Sequence, residues 1–277
     1  MQSLSQLETS AMKQPNSIEI NQALAEAYAK EGRWQEATKT YQTLASLYPS
    51  TASLFTNRIR LGASALMISS VLFLIAELFL PSIAAQTDPE NFAQSISPPE
   101  FLTAQILFIL AFALYSCSAI SIYKLLSYTR DHRPAFWAMV LSVIGVGLSM
   151  PLLGIKAFVL PLIGRLYLDG ETSALSLYFA MQQNTWQFML QSGNYFVIAG
   201  ITIFSWVIWR NRNLSQSAIL IYLAGWIGFA FSNNQLPKLG LILIGLLISL
   251  GGVGFGRSLW IQASVQFYPG MDRLSRL

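Results

Sequence analysis

Glu77 and Lys156 are the residues of this 277-residue chain most able to do chemistry, because each places a formal charge inside a long apolar stretch. A charge near the middle of a membrane costs about 2.5–3.5 kcal/mol on insertion scales, so its presence calls for a function or a partner. A carboxylate and an ammonium group at similar depth could pair or share one polar pocket. The alternative is that each extends separately to the nearer membrane surface, as lysine readily does.

Amide side chains form a second polar set. Asn184, Gln187, Gln191 and Asn194 are spaced three, four and three residues apart, so they fall on one face of a helix. The topology derived below puts this face at or near the outer leaflet, and Gln105 reaches a similar level. One interpretation is a helix whose polar side simply faces water. The other is an outward-opening polar pocket lined by Glu77, Lys156, Gln187, Gln191 and Asn194.

Other reactive residue types give no catalytic set. The single cysteine, Cys117, lies in mid-span with no histidine predicted at its depth, so a thiolate nucleophile lacks its base. The single histidine, His132, lies in a basic loop and leaves no cysteine–histidine cluster for zinc. No paired acid–base set of the kind an intramembrane enzyme needs appears at one depth. The sequence therefore predicts a protein that is not an enzyme and that holds no cofactor or metal.

The elements that position these residues are membrane spans. The chain is 53% hydrophobic and only 11% charged, and the charge deficit begins after Arg60. The stretch 61–80 has one charge in twenty residues, enough to cross a bilayer as a helix. The sequence predicts an all-α fold with six transmembrane helices within residues 58–262. The predicted spans are 61–80, 101–123, 134–162 (interrupted by Pro151), 191–209, 214–231 and 239–256, with 172–190 as a surface helix.

The number of lysine and arginine residues is alternately high and low from one loop to the next along the chain. With the N-terminus in the cytoplasm and six crossings, ten basic residues flank the inner ends and two, Arg165 and Lys238, flank the outer ends. The positive-inside rule favours this orientation, with both termini cytoplasmic. The net charge of +4 is thereby explained by orientation of spans, and nucleic acid is not a predicted partner. The ten are Arg58, Arg60, Lys124, Arg130, Arg133, Arg210, Arg212, Arg257, Arg273 and Arg276.

Residues 16–50 predict a helical hairpin before the first span. Asn16 and Glu19 are spaced as a capping box, Gly32 ends the first helix and Pro49 the second. Residues 1–15 are predicted to be a flexible N-terminus or a short helix ending near Pro15, and residues 263–277 a basic C-terminal tail. The hairpin resembles one tetratricopeptide repeat, through residues in the order and spacing of that family: Leu24, Ala25, Tyr28, Gly32, Ala37, Tyr41 and Pro49.

One such repeat cannot bury both of its faces, so it must lean on something else. The candidates are the membrane helices, a second copy of the chain, or a cytoplasmic protein partner. The aromatic residues predicted to dock a partner are Tyr28, Trp34 and Tyr41.

The membrane region is similar to an uncharacterised family of bacterial six-helix integral membrane proteins. The similarity lies in three stretches: RIRLGASALMISSVLFLIAELF, ALYSCSAISIYKLL and GNYFVIAGITIFSWVIWRNRNLSQSAILIYLAGWIGFA. It implies a multi-pass protein of the bacterial cytoplasmic (inner) membrane and no particular activity.

The predicted function is a non-enzymatic adaptor or assembly factor that docks a cytoplasmic partner through the hairpin. The alternative is a small-solute transporter or an outward-facing sensor that uses the polar pocket.

Overall fold

The structure, a computed structural model, describes residues 3–47, 49–81, 88–127, 131–181, 187–211, 214–232 and 236–265. Every regular element in these residues is an α-helix, in agreement with the predicted all-α class. The helices are α1 (Leu4–Lys13), α2 (Ile18–Lys30), α3 (Trp34–Leu47), α4 (Pro49–Phe79), α5 (Pro89–Ile96), α6 (Pro99–Leu126), α7 (His132–Leu168), α8 (Ser173–Met181), α9 (Gln187–Asn211), α10 (Gln216–Ser232) and α11 (Lys238–Val265).

Residues 3–47 form three short helices that pack in chain order, α1 on α2 and α2 on α3. Ser3 and Gln6 form a capping box at the start of α1, in which each side chain accepts the other residue's backbone N–H. Residues 4–13 therefore form a helix, as in the second of the two sequence alternatives, because this cap satisfies exposed amides of the first turn. Gly32 makes the turn between α2 and α3 with a φ of +76°, a conformation that favours glycine.

The connection from α1 to α2 is fixed by Asn21, whose side chain is buried. Its amide nitrogen donates to the Pro15 carbonyl at 2.7 Å and to the Ser17 carbonyl at 2.9 Å. The hydroxyl of Ser17 accepts the Ile20 amide at 3.4 Å, so this side chain satisfies the first turn of α2. The cap of α2 is thus Ser17, one residue beyond the predicted cap, Asn16.

The helix α4 is continuous from Pro49 to Phe79 and joins the N-terminal helices to the membrane region. The sequence predicts Pro49 only as the end of the hairpin. Proline is well tolerated at the first position of a helix, where its missing N–H has no intrahelical partner to lose. The same residue therefore separates α3 from α4 and begins the first long helix.

Five helices of the described part, α4, α6, α7, α9 and α11, are long and apolar enough to cross a membrane. These correspond to five of the six predicted spans. The sixth, α10, is apolar but has 17 residues. At 1.5 Å per residue this is about 25 Å, less than the roughly 30 Å of a typical hydrocarbon core. Its length, rather than its composition, sets it apart from the other five.

These six helices form a closed ring. Each packs against the next along the chain, and α11 packs back against α4. Neighbours run antiparallel: the Ser69 hydroxyl of α4 donates to the Ala111 carbonyl of α6 at 2.8 Å, and the rings of Phe73 and Phe108 lie 5.0 Å apart. The middle of the ring is filled by Trp226 of α10, whose indole contacts aromatic rings of both α4 and α6.

Glycines let several pairs of helices approach closely, among them α10 with α11 and α7 with α9. A Cβ atom on Gly251 of α11 would stand 2.6 Å from the Tyr222 Cα of α10, and would also overlap that residue's backbone nitrogen. A Cβ atom on Gly145 of α7 would stand 2.6 Å from the Gly193 carbonyl oxygen of α9. The glycines of α11 therefore allow close packing against α10, and a second seam of this kind joins α7 to α9.

The longest helix, α7, includes the whole third predicted span and extends beyond the apolar bundle. Pro151 is predicted to interrupt it, but the helix continues through Pro151 and Pro161. A proline pushes against the carbonyl four residues earlier, here that of Gly147. Apart from the helix's own backbone, no atom lies within 4 Å of the position of a Cβ on Gly147, so the helix has room to adjust there.

Two short helices cover the end of the bundle at which α4 finishes. Both α5 and α8 pack on α7. A Cβ atom on Gly164 of α7 would stand 2.8 Å from the Ile96 side chain of α5. The apolar cluster between these helices, here called the cap cluster, consists of Phe92, Ile96, Phe101, Leu160, Ile163 and Leu175, with Leu80, Tyr167 and Ala174 packed against it.

Candidate functional site

Glu77 lies two residues before the end of α4 and faces the interior of the bundle. Its side chain is buried, with 3% of its surface exposed. The helix α11 passes close by: its Gly245 leaves room for the Glu77 side chain, whose Cγ lies 3.4 Å from the position of a Cβ on that glycine. The carboxylate oxygen Oε2 has no hydrogen-bond partner among the described residues. A buried acceptor of this kind is unusual, because nearly all buried polar groups in proteins are hydrogen-bonded.

Gln105 occupies the corresponding level of α6. Its side chain is 5% exposed, and its Oε1 likewise has no partner in the described part of the chain. The ring contact between Phe73 and Phe108 fixes the register of the two helices. Glu77 comes four residues after Phe73, and Gln105 three residues before Phe108, so each lies about one helical turn outward of that contact. Two unsatisfied acceptors therefore share one layer of the α4–α6 interface.

An aromatic layer lies directly inward of this pair. The ring of Phe73 is 5.4 Å from that of Trp226 and 4.9 Å from that of Phe229, both on α10. On the outward side, Phe101 of the cap cluster lies one turn beyond Gln105. Glu77 and Gln105 are thus enclosed by apolar side chains both inward and outward.

Lys156 is not part of this arrangement. It lies on α7, which packs against α6 and α9, whereas α4 packs against α6 and α11. The lysine is half-buried, and no ion pair within 4.0 Å joins it to Glu77. The hypothesis of a Glu77–Lys156 ion pair therefore has no support in this structure, because the two residues lie on helices that are not ring neighbours.

The predicted amide lining is only partly described. The side chains of Gln187 and Gln191 lie outside the described residues. Asn194 is half-buried and follows Gly193, which contacts Gly145 and Ser149 of α7. Its level on α7 is therefore near residue 147, about nine residues or 14 Å inward of Lys156. The structure does not bring Asn194 and Lys156 to one depth.

The chain has no match among known proteins: no family model, no curated protein and no solved structure matches it. The resemblances to a tetratricopeptide repeat and to the bacterial six-helix family remain predictions from the sequence. Among the described residues, no group of three or more histidine, cysteine, aspartate or glutamate side chains could hold a metal ion.

The predicted docking residue Tyr28 is engaged within the N-terminal helices. Its hydroxyl donates to Glu8 Oε1 of α1 at 2.8 Å, and the Arg33 guanidinium lies over its ring at 4.6 Å. Arg33 also pairs with Glu8 at 3.4 Å and with Glu36 at 3.2 Å. The side chains of Trp34 and Tyr41, the other two predicted docking residues, lie outside the described residues.

This network shifts two ionisation equilibria in the N-terminal helices. Burial raises the pKa of the Tyr28 phenol, and the hydrogen bond to Glu8 raises it further. The pKa of the Glu36 carboxyl is lowered, first by a hydrogen bond from its own backbone amide and then by the Arg33 guanidinium. Both shifts favour the folded arrangement at neutral pH.

Basic residues gather at the end of the ring that carries α1–α3. There the Arg60 guanidinium lies 5.3 Å from the Trp260 ring, and the Arg210 guanidinium lies 5.0 Å from the Trp206 ring. Arg210 also pairs with Asp131 at 3.5 Å. This end, here called the basic end, carries Arg58, Arg60, Lys124, Arg133, Arg210 and Arg257, whereas the opposite end carries Arg165 and Lys238 among the described residues.

Gln105 is not predicted as a site residue from the sequence, although it is predicted to reach a depth similar to that of the amide side chains of residues 184–194. The available signal is an amide three residues before Phe108 in an otherwise apolar helix. An uncharged amide is a weak signal until the helix packed against it is known, and hydropathy does not identify that helix.

Proposed function

We propose that this chain is a non-enzymatic, multi-pass protein of the bacterial cytoplasmic membrane, and that it docks a cytoplasmic protein through α1–α3. The carrying observation is that these three helices form their own packed unit outside the apolar bundle. The network of Glu8, Tyr28, Arg33 and Glu36 holds the unit together. It joins the bundle through α3 and the continuous helix α4.

The proposed topology has six crossings with both termini in the cytoplasm. Two observations support it. The ring neighbours α9, α10 and α11 are packed one on the next, as expected if α10 crosses despite its length. The basic end also carries most of the lysine and arginine, and positive residues flank the cytoplasmic ends of spans.

The proposed docking surface is the exposed face of α2. Asn21, Leu24 and Ala25 face inward and are buried. Glu19, Gln22, Glu26 and Lys30 face outward and are exposed, and Glu31 follows them. This face carries more acidic than basic groups, so anionic lipid headgroups would repel it rather than bind it. The partner that fits is a cytoplasmic protein segment rich in lysine or arginine.

Affinity purification of the full-length protein from mild detergent tests this proposal. We expect a cytoplasmic protein to copurify with the wild type and to be lost with Glu19→Lys/Glu26→Lys. The matched control is Glu90→Lys/Glu171→Lys, which makes the same charge change at exposed positions of the opposite end. Equal capture by all three proteins, or capture of only a second copy of the chain, would contradict docking through α2.

A second candidate function, a small-solute transporter or outward-facing sensor, is favoured by one observation, the burial of Glu77. Lys156 lies on a helix that is not a ring neighbour of α4, and Asn194 lies at a different depth from Lys156, so these residues do not line a single large pocket with Glu77. The two functions differ in their dependence on the N-terminal unit. An adaptor loses its partner when residues 1–50 are removed, whereas a transporter keeps its solute binding.

A further inference from the structure

Glu77 and Gln105 present a problem of hydrogen-bond chemistry. Glu77 Oε2 and Gln105 Oε1 are both acceptors, both are buried, and neither has a donor among the described residues. The two oxygens cannot satisfy one another, and no hydrogen bond to either of them is described from the Gln105 amide nitrogen or from Trp226 Nε1, itself a buried donor with no partner in the described residues. Rotation of the Gln105 amide would turn an N–H towards Glu77, but the carboxylate would keep its charge, which is costly in an apolar interior. This layer of the bundle therefore lacks a group that both neutralises the Glu77 carboxylate and donates a hydrogen bond.

A protein cation could supply that donor, but none is in place. The helices packed on this part of α4 are α6 and α11. Their charged groups nearest in sequence are Glu100 and Lys238, both exposed at the outer ends of those helices. At the level of Glu77, α11 contributes Gly245, which has no side chain. Lys156, the charged residue in the middle of α7, makes no ion pair with Glu77.

A bound metal cation fits these surroundings poorly. Ions such as Ca²⁺ and Mg²⁺ take six or more oxygen ligands. Here two side-chain oxygens face a glycine and an aromatic layer formed by Phe73, Phe108 and Phe229. A proton needs only one oxygen to carry it and one to accept from it. Protonation of Glu77 converts two unsatisfied acceptors into one donor and one acceptor.

We propose that Glu77 and Gln105 form a proton-binding site, in which the protonated Glu77 carboxyl donates its O–H to Gln105 Oε1. The site lies about half a helical turn beneath the end of α4 that the cap cluster covers. The reaction is the reversible addition of one proton, taken from water on that side, to the Glu77 carboxylate. This inference does not depend on the docking proposal, because it concerns the opposite end of the bundle.

Infrared spectroscopy of the full-length protein in lipid vesicles tests the site directly. A protonated carboxyl gives a C=O stretching band separate from that of a carboxylate. At neutral pH we expect this band in the wild type, a shift on exchange into D₂O, and its loss in Glu77→Gln. Glu100→Gln, which removes an exposed carboxyl of α6, is the matched control and should retain the band. Absence of the band from the wild type would overturn the proposal.

Two further measurements test the hydrogen-bond acceptor of Glu77 and the identity of the bound cation. Gln105→Leu should keep the band but move it to higher frequency, because the carboxyl loses its acceptor; an unmoved band would overturn the assignment of Gln105. Replacing choline chloride by sodium chloride should leave the band unchanged. Loss of the band in sodium would identify a metal-cation site instead of a proton site. The wild-type spectrum decides whether a protonated carboxyl is present, and the comparison of Glu77→Gln with Glu100→Gln assigns it.

Discussion

The Arg60 guanidinium of α4 lies 5.3 Å from the centre of the Trp260 ring of α11, so a cation–π contact joins the first and last long helices at the basic end. This contact closes the ring of helices where the chain enters and leaves the bundle. Both residues lie where a membrane interface is expected, a position in which arginine and tryptophan are favoured.

Trp260→Leu should therefore weaken the α4–α11 junction. The loss of the cation–π contact is worth about 0.5–1 kcal/mol at a partly exposed site. We expect a lower midpoint of thermal unfolding in detergent than for the wild type. Trp209→Leu is a suitable control, because Trp209 is also a half-exposed tryptophan of the basic end and no cation is described over its ring. Equal loss in both variants would show that the Arg60 contact contributes nothing.

Gly251→Ala should separate α11 from α10. The added Cβ would overlap the Tyr222 backbone, which can move only if the helices move apart. Overpacking of this kind costs about 1–3 kcal/mol. The matched variant is Gly147→Ala, at a position with no neighbouring atom within 4 Å. Thermal unfolding of both variants measures the difference, and a Gly251→Ala protein as stable as Gly147→Ala would refute the close approach.

Glu8→Ala should release α1 from α2. Glu8 Oε1 is the acceptor that both Tyr28 and Arg33 contact, so its removal breaks both links at once. We expect faster amide hydrogen exchange throughout α1, with exchange in α4 unchanged. Glu19→Ala, an exposed residue of α2 with no described ion pair, serves as the control. Unaltered exchange in α1 would mean that Ser3 capping and apolar packing alone hold this helix.

The pairing of Arg33 with Glu36 should depend on pH in acid. The pKa of Glu36 is lowered from its ordinary value of 4.5, so its stabilising effect is fully present above pH 4.5 and is lost as the pH falls through the lower folded-state value. Hydrogen exchange in α3, compared between wild type and Glu36→Gln, should differ at pH 5, and the difference should disappear as the pH is lowered further. A difference that persists undiminished at the lower pH would contradict this assignment.

The proposed orientation makes a labelling prediction. In a Cys117→Ser background, Glu90→Cys at the far end should react with a membrane-impermeant maleimide on intact cells. Lys30→Cys in α2 should react only after the membrane is permeabilised. Both positions are exposed, so access is controlled by the side of the membrane. Labelling of both positions in intact cells would overturn the topology.

Hydropathy and charge predict the long helices well, because length and composition are local properties of the chain. The order of neighbours in the ring is not local. Glu77 and Lys156 have similar depths in the sequence, yet the first faces α6 and α11 while the second lies on α7. Depth along a helix can be counted from the sequence, but the direction of a side chain towards a particular neighbour depends on packing.

The contacts that small residues make between helices are likewise only partly predictable from the sequence. The glycines of the last span predict close packing, and Gly251 achieves it against Tyr222. The seam between α7 and α9 is built from Gly145, Ser149 and Gly193, which are spread over two helices and form no cluster in the sequence. Tyr28 was predicted to face a partner because it is aromatic. The acceptor that occupies its hydroxyl, Glu8, lies in a segment whose helical order the sequence left open.

The unbroken course of α4 has a mechanical consequence. A helix from Pro49 to Phe79 is about 46 Å long, with the N-terminal unit at one end and Glu77 at the other. A rigid rod of that length, pivoting by about 10° at its midpoint, displaces each tip by about 4 Å in opposite directions. A load applied to α1–α3 would thus act through a lever arm on the Glu77 carboxyl, with no intermediate joint to absorb the motion.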